Sequence, residues 1–109
     1  MIQSTIRMAI PPQKKSEALK ILRSITEQCR DVPACLSCHF YEDLQEIDVL
    51  MLIEVWRSEE DLNLHLRSEE YRNLLLVVEM SLKQPEIRFD TISSSMGIEA
   101  IEKARIHAR

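Results

Sequence analysis

Ile2, Ile6, Met8 and Ile10 fall on alternate positions of the opening segment, the period of two that marks a strand with one buried face. Pro11-Pro12 ends that strand. From Lys14 to Arg30 the spacing changes. Ala18, Leu22, Ile25 and Cys29 recur at helical intervals with Lys, Glu and Arg opposite them, which predicts a long amphipathic helix closed before Pro33. Cys35 to Tyr41 and Ile47 to Trp56 return to the strand pattern, joined in hairpin fashion by the polar turn from Glu42 to Glu46. In the third strand Val49, Met51, Ile53 and Val55 are apolar on one face while Leu50, Leu52 and Trp56 are apolar on the other. Both faces therefore need cover, and helices on one side supply only half of it. A second copy of the chain is the simplest cover for the other half.

Ser58 before Glu59, Glu60 and Asp61 has the form of a helix N-cap with an acidic first turn, and Ser68 before Glu69 and Glu70 repeats it. The first cap predicts a short helix, Glu59 to Leu66. The second predicts a longer helix with the stripe Tyr71, Leu74, Leu75, Val78 and Leu82, stopped by Pro85. A fourth strand is expected from Glu86 to Ser94, and after Gly97 the residues Ile98, Ile101, Ala104 and Arg105 suggest a terminal amphipathic helix. The order is βαββαβ plus a helical tail. The expectation is an α+β, ferredoxin-like split βαβ sandwich at residues 1–95 with a C-terminal helical extension at 96–109.

Composition narrows the function. A chain of 109 residues makes one domain with little spare core. Its single glycine, Gly97, leaves no room for a GxGxxG turn or a P-loop, which excludes glycine-built nucleotide sites. A net charge of −4 without a basic block argues against nucleic acid as a partner. The longest strictly apolar runs, Val49 to Ile53 among them, are far short of the roughly 20 residues of a transmembrane helix. No basic, then apolar, leader opens the chain, and the expectation is a cytoplasmic protein without membrane contact. Three cysteines are an odd count, so disulfides are not the framework.

Several residues could carry chemistry. Cys35-Leu36-Ser37-Cys38-His39 matches CxxCH, and Cys29 adds a third thiol. Residues three apart on a regular strand point to opposite faces, so Cys35 and Cys38 are expected to diverge and to serve as small apolar packing residues, with no metal held. Glu54 shares a face with Leu50, Leu52 and Trp56, where a carboxylate is desolvated and needs a partner: Arg7 or another cation at a strand end, or a catalytic role. Trp56 offers a flat surface and one N–H donor, for core filling or for a ligand. His65 faces inward with Leu62 and Leu66, either as an acid–base group or as a satisfied core histidine. His39, in a strand, and His107, in the tail, are weaker candidates. The five methionines are scattered and make no cofactor box.

Asp31 to Cys38, Glu54-Val55-Trp56-Arg57-Ser58, His65-Leu66-Arg67-Ser68-Glu69-Glu70-Tyr71, and Pro85 before the last strand together resemble the antibiotic biosynthesis monooxygenase family. That family has a PGC-type strand entry, an ExW strand end followed by Ser, an HLxS helix pair and a final strand. The resemblance extends to about Ser95. It implies a ferredoxin-like fold paired sheet to sheet as a homodimeric α+β barrel. It also implies a pocket in which a small phenol, quinol or aromatic polyketide is oxidised by O₂ without metal, flavin or haem. In that reading His65 is the acid–base residue and Trp56 its catalytic companion, with Tyr71, Glu54, Phe40 and Phe89 in the substrate pocket.

The departures are informative. Ala34 replaces the glycine of the strand entry. Haem-degrading relatives carry an Asn on the first strand and an axial His on the long helix; both are lacking here, which argues against haem. The fold also hosts binding and regulatory domains, so a non-enzymatic ligand-binding or stress-response domain is the alternative. A purely structural dimerisation module is the third reading, and it requires Tyr71, Phe40 and Phe89 to fill the pocket completely.

Overall fold

In the computed structural model, which describes residues 1–106, the elements run β1 (Ile2–Ala9), α1 (Lys15–Cys29), β2 (Cys35–Glu42), β3 (Val49–Trp56), α2 (Glu59–Leu66), α3 (Glu69–Glu79), β4 (Glu86–Thr91) and α4 (Ile98–Ile106). The strands form one antiparallel sheet in the order β2-β3-β1-β4, the ferredoxin-like arrangement. β1 and β3 are central, and their register pairs Ile2, Ser4, Ile6 and Met8 with Trp56, Glu54, Leu52 and Leu50 on one face. α1 and α3 supply the facing stripes, Ala18, Leu22, Ile25 and Cys29 from one and Tyr71, Leu74 and Val77 from the other. Leu22, Leu52 and Leu74 are fully withdrawn from water, each worth about 1.5–3 kcal/mol of burial.

Three boundaries differ from the sequence reading. β3 begins at Val49 rather than Ile47, because Asp48 takes a left-handed backbone (φ 62°) and its carbonyl accepts the Ile10 N–H at 2.8 Å. β4 closes at Thr91, short of Ser94. α3 stops at Glu79, not Leu82, where β1 captures the chain: Leu82 N–H donates to the Ala9 carbonyl at 2.8 Å, and the Ser81 hydroxyl accepts the Ala9 N–H at 3.1 Å. Leu75 and Leu82 are consequently exposed, and Val77 takes the inward place the expected stripe gave to Leu75.

The other face of the sheet carries Val49, Met51, Ile53 and Val55 beside Gln3, Thr5 and Arg7. Arg7 lies on that face and binds Asp43 at 2.9 Å and Glu46 at 2.6 Å, so it is not the partner of Glu54. The cause is parity: Arg7 pairs with Met51, one residue out of step with the inward-facing Glu54. α4 buries none of its residues, and the Gly97 N–H that precedes it donates to the Glu99 carboxylate at 2.7 Å. Residues 107–109 of the expected extension, His107 among them, lie outside the described residues. Among the described residues no helix is long and apolar enough to cross a membrane.

Candidate active site

The short helix α2 exists to hold one histidine. Ser58 caps it, its hydroxyl accepting the Asp61 N–H at 3.2 Å and donating to the Asp61 carboxylate at 2.7 Å. At the other end Ser68 caps α3 by accepting the Tyr71 N–H at 3.2 Å and donates its own proton to the His65 carbonyl at 2.7 Å. One hydroxyl thus joins the end of α2 to the start of α3, and His65 and Tyr71 converge.

The His65 ring packs against Trp56 with centroids 4.4 Å apart and planes 28° apart, and meets Tyr71 edge-on at 5.3 Å. Its Nε2 lies 2.9 Å from Glu54 Oε2, with the His65 side chain 8% exposed and that of Glu54 fully buried. A carboxylate accepts only, so in the neutral ring the proton sits on Nε2 and the lone pair on Nδ1. Burial works against the charged ring, but the hydrogen bond and the charge of Glu54 outweigh it, and the His65 pKa stands above its ordinary 6.5. Burial first, and the Glu54 charge second, push the Tyr71 phenol up to about 12. Glu54 Oε1, Trp56 Nε1 and Ser4 Oγ are buried without a hydrogen-bond partner among the described residues.

Beside this group opens a cavity of about 340 Å³, walled mainly by Ile25, Val32, Ala34 and Leu64 with Trp56 and His65, while Gln28, Asp61, Ser68 and Glu70 add polar lining. Its size suits a small aromatic, from a single ring to a compact fused system, at the lower end of ordinary ligand pockets. Glu54 stands behind His65, and Tyr71 braces the ring. Phe89 lies elsewhere, in a separate groove with Ile2, Leu62 and Leu66 that the edge position of β4 leaves uncovered. Phe40 packs against the core from β2, opposite Leu52, and does not line the cavity. The two phenylalanines therefore do not join the group that His65, Trp56, Tyr71 and Glu54 form.

The cysteines depart from the sequence reading. A β-bulge between Cys35 and Ser37 shifts the register, so that Cys35 pairs with Trp56 and Cys38 with Glu54, both on the inner face. The expected divergence of Cys35 and Cys38 is thereby undone. The Cys38 and Cys29 thiols approach Glu54 Oε2 at 3.8 and 4.0 Å, the latter from the last residue of α1. The neighbouring Cys29 sulfur, then burial, raises the Cys38 thiol pKa. Burial, then Cys29, pushes Cys35 up to about 12, and the neighbouring Cys38 lowers Cys29. The bulge leaves no periodic trace, so spacing alone sets Cys35 and Cys38 on opposite faces. The sequence signal that points to it is Glu54 itself, a carboxylate on an otherwise apolar inner face.

The family model for "Antibiotic biosynthesis monooxygenase" matches residues 1–75. An uncharacterised protein of Synechocystis sp. is 30% identical over 66 residues, 61% of this chain, and the chain spans 45% of that relative's length. Among solved structures, a conserved protein from Methanosarcina mazei superposes with a TM-score of 0.75 at 24% identity, covering 82% of this chain and 89% of its own. An antibiotic biosynthesis monooxygenase gives a TM-score of 0.75 at 20% identity, with 86% and 100% covered. A Mycobacterium tuberculosis protein, Rv0793, gives 0.77 at 21% identity, with 88% and 98% covered. At these identities the structures establish the ferredoxin-like fold. The sequence match over most of the chain, together with that fold, places this protein in the antibiotic biosynthesis monooxygenase family.

Proposed function

We propose that the protein is a cofactor-independent monooxygenase that oxidises a small phenol, quinol or aromatic polyketide with O₂. The observation that carries this reading is the Glu54–His65 pair beside an apolar cavity of aromatic size. Glu54 holds Nε2–H, Nδ1 takes the phenolic proton, and Glu54 stabilises the imidazolium that results. A phenol of pKa about 10 is a weak acid at neutral pH, and a base held above 6.5 narrows the gap. The phenolate supplies the electrons to O₂. The protein orients the ring between Trp56 and the aliphatic walls and keeps water out.

Oxygen uptake over a panel of hydroquinones and anthrones tests the activity. Turnover is expected with at least one of them and is expected to fall by about 10²–10⁴-fold in His65→Ala, the usual worth of a positioned base. No uptake across the panel, or uptake unchanged in His65→Ala and Trp56→Ala, rejects it.

The ferredoxin-like unit at residues 1–95 works in this reading as a cytoplasmic homodimer paired through the Val49, Met51, Ile53 and Val55 face, with residues 96–109 as an extension. A second reading, a ligand-binding domain without turnover, draws on the His65 ring being enclosed by Trp56, Tyr71 and Glu54. A thermal shift with aromatic ligands in the absence of oxygen consumption favours it.

A further inference from the structure

The geometry points to a thiolate metal site: Cys29, Cys38 and Glu54 bind one soft divalent cation, of which zinc is the archetype, at the inner end of β2. The Cys29 and Cys38 sulfurs and a Glu54 carboxylate oxygen all lie within 4.8 Å of one another. Tetrahedral zinc, with Zn–S of about 2.3 Å and Zn–O of about 2.1 Å, sets its ligand atoms about 3.6–3.8 Å apart. The two sulfur–oxygen separations, 3.8 and 4.0 Å, are within a few tenths of that spacing.

Two further features separate this group from cysteines that merely fill space. Glu54 is fully buried: its Oε2 faces two thiols that are only weak donors while it accepts the His65 Nε2–H, and its Oε1 has no partner among the described residues. The site also has an entry path. A groove of about 260 Å³ is lined by Cys29, Cys35 and Cys38 together with Thr26 and His39, so an ion reaches the sulfurs from solvent without passing through the aromatic cavity. Cys35, brought to the same groove by the β-bulge, lies outside the 4.8 Å group, its thiol donating to the Ser37 carbonyl at 3.4 Å, and joins as a fourth ligand only by turning away from that bond. The ligand set, two or three sulfurs and one carboxylate oxygen, suits zinc and its analogues cobalt and cadmium over magnesium or calcium.

The site does not depend on oxygenase activity, and its test reads metal rather than turnover. The reduced full chain is titrated with Co²⁺ alone and then with Zn²⁺. The expected result is one Co²⁺ per chain, an intense thiolate-to-cobalt charge-transfer band with tetrahedral d–d bands, and displacement by Zn²⁺. Cys29→Ser and Cys38→Ser are each expected to lose most of the charge-transfer intensity, whereas Cys35→Ser loses a smaller part. Wild-type protein gives a readout that needs no variant to fold: Zn²⁺ is expected to protect Cys29 and Cys38 from maleimide labelling mapped by mass spectrometry. No saturable band, a band that survives in the Cys29→Ser/Cys38→Ser double variant, or equal labelling with and without Zn²⁺ overturns the proposal.

Discussion

His65 Nε2 lies 2.9 Å from Glu54 Oε2, and the two side chains are held in contact where water scarcely reaches them. The hairpin-like step from β3 to α2 brings them together across eleven residues. Burial favours the neutral ring, yet the Glu54 bond and charge prevail, and the folded pKa of His65 exceeds 6.5. The unfolded chain returns the ring to about 6.5. The folded state therefore binds the proton more tightly, and this contribution to stability is complete below about 6.5 and is lost as pH rises through the folded pKa. NMR titration of the His65 ring is expected to give a midpoint above 6.5 that moves down in Glu54→Gln. The fall in thermal midpoint over that window should vanish in His65→Gln.

Removing His65 leaves the buried Glu54 carboxyl with only the weak Cys29 and Cys38 thiol donors. His65→Ala is expected to cost about 3–5 kcal/mol at neutral pH by denaturant unfolding, and the His65→Ala/Glu54→Gln double variant to recover part of that loss. Equal stability of the single and double variants would show that the pair carries no buried charge.

Ser68 serves two helices at once. Ser68→Ala removes both the cap on Tyr71 N–H and the bond to the His65 carbonyl, so a loss of about 1–2 kcal/mol is expected. In the proposed enzyme this variant should also weaken kcat more than Ser58→Ala, because only Ser68 ties the two aromatic residues together.

The inward stripe of α3 can be checked directly. Leu74 is fully buried and Leu75 is 44% exposed. Leu74→Ala should destabilise the chain by about 2–5 kcal/mol, while Leu75→Ala should stay within about 0.5 kcal/mol. Comparable losses at both positions would return the stripe to the one expected from periodicity.

The outer sheet face tests the dimer separately from catalysis. Sedimentation at micromolar concentration is expected to give twice the 12.7 kDa chain mass, and Ile53→Lys to give a monomer, since an ammonium at the centre of that face is costly to desolvate. A wild-type monomer would remove the pairing.

Strand and helix identity were legible in the order of residues because period two and helical spacing are local properties. Ile2 to Ile10, the Ala18–Leu22–Ile25–Cys29 stripe and the serine caps each predicted an element that the fold contains. The element order of a ferredoxin-like fold was legible in the same way, as were the shared face of Glu54 and Trp56 and the inward aspect of His65. Termini were less legible where a distant partner set them: α3 ends where β1 binds Ser81 and Leu82, a contact across the whole chain.

What only the tertiary structure decided was which inward residues meet. Both Arg7 and His65 were available to Glu54, and the parity of the β1–β3 register excluded the first. Phe40 and Phe89 share the inner face with the site, but the edge strands carry them away from the cavity. A single bulged residue in β2 turned Cys35 and Cys38 to one side, where spacing alone sets them apart. Periodicity is an average over a strand, whereas a bulge is one residue's departure from it, settled by the neighbours across the sheet.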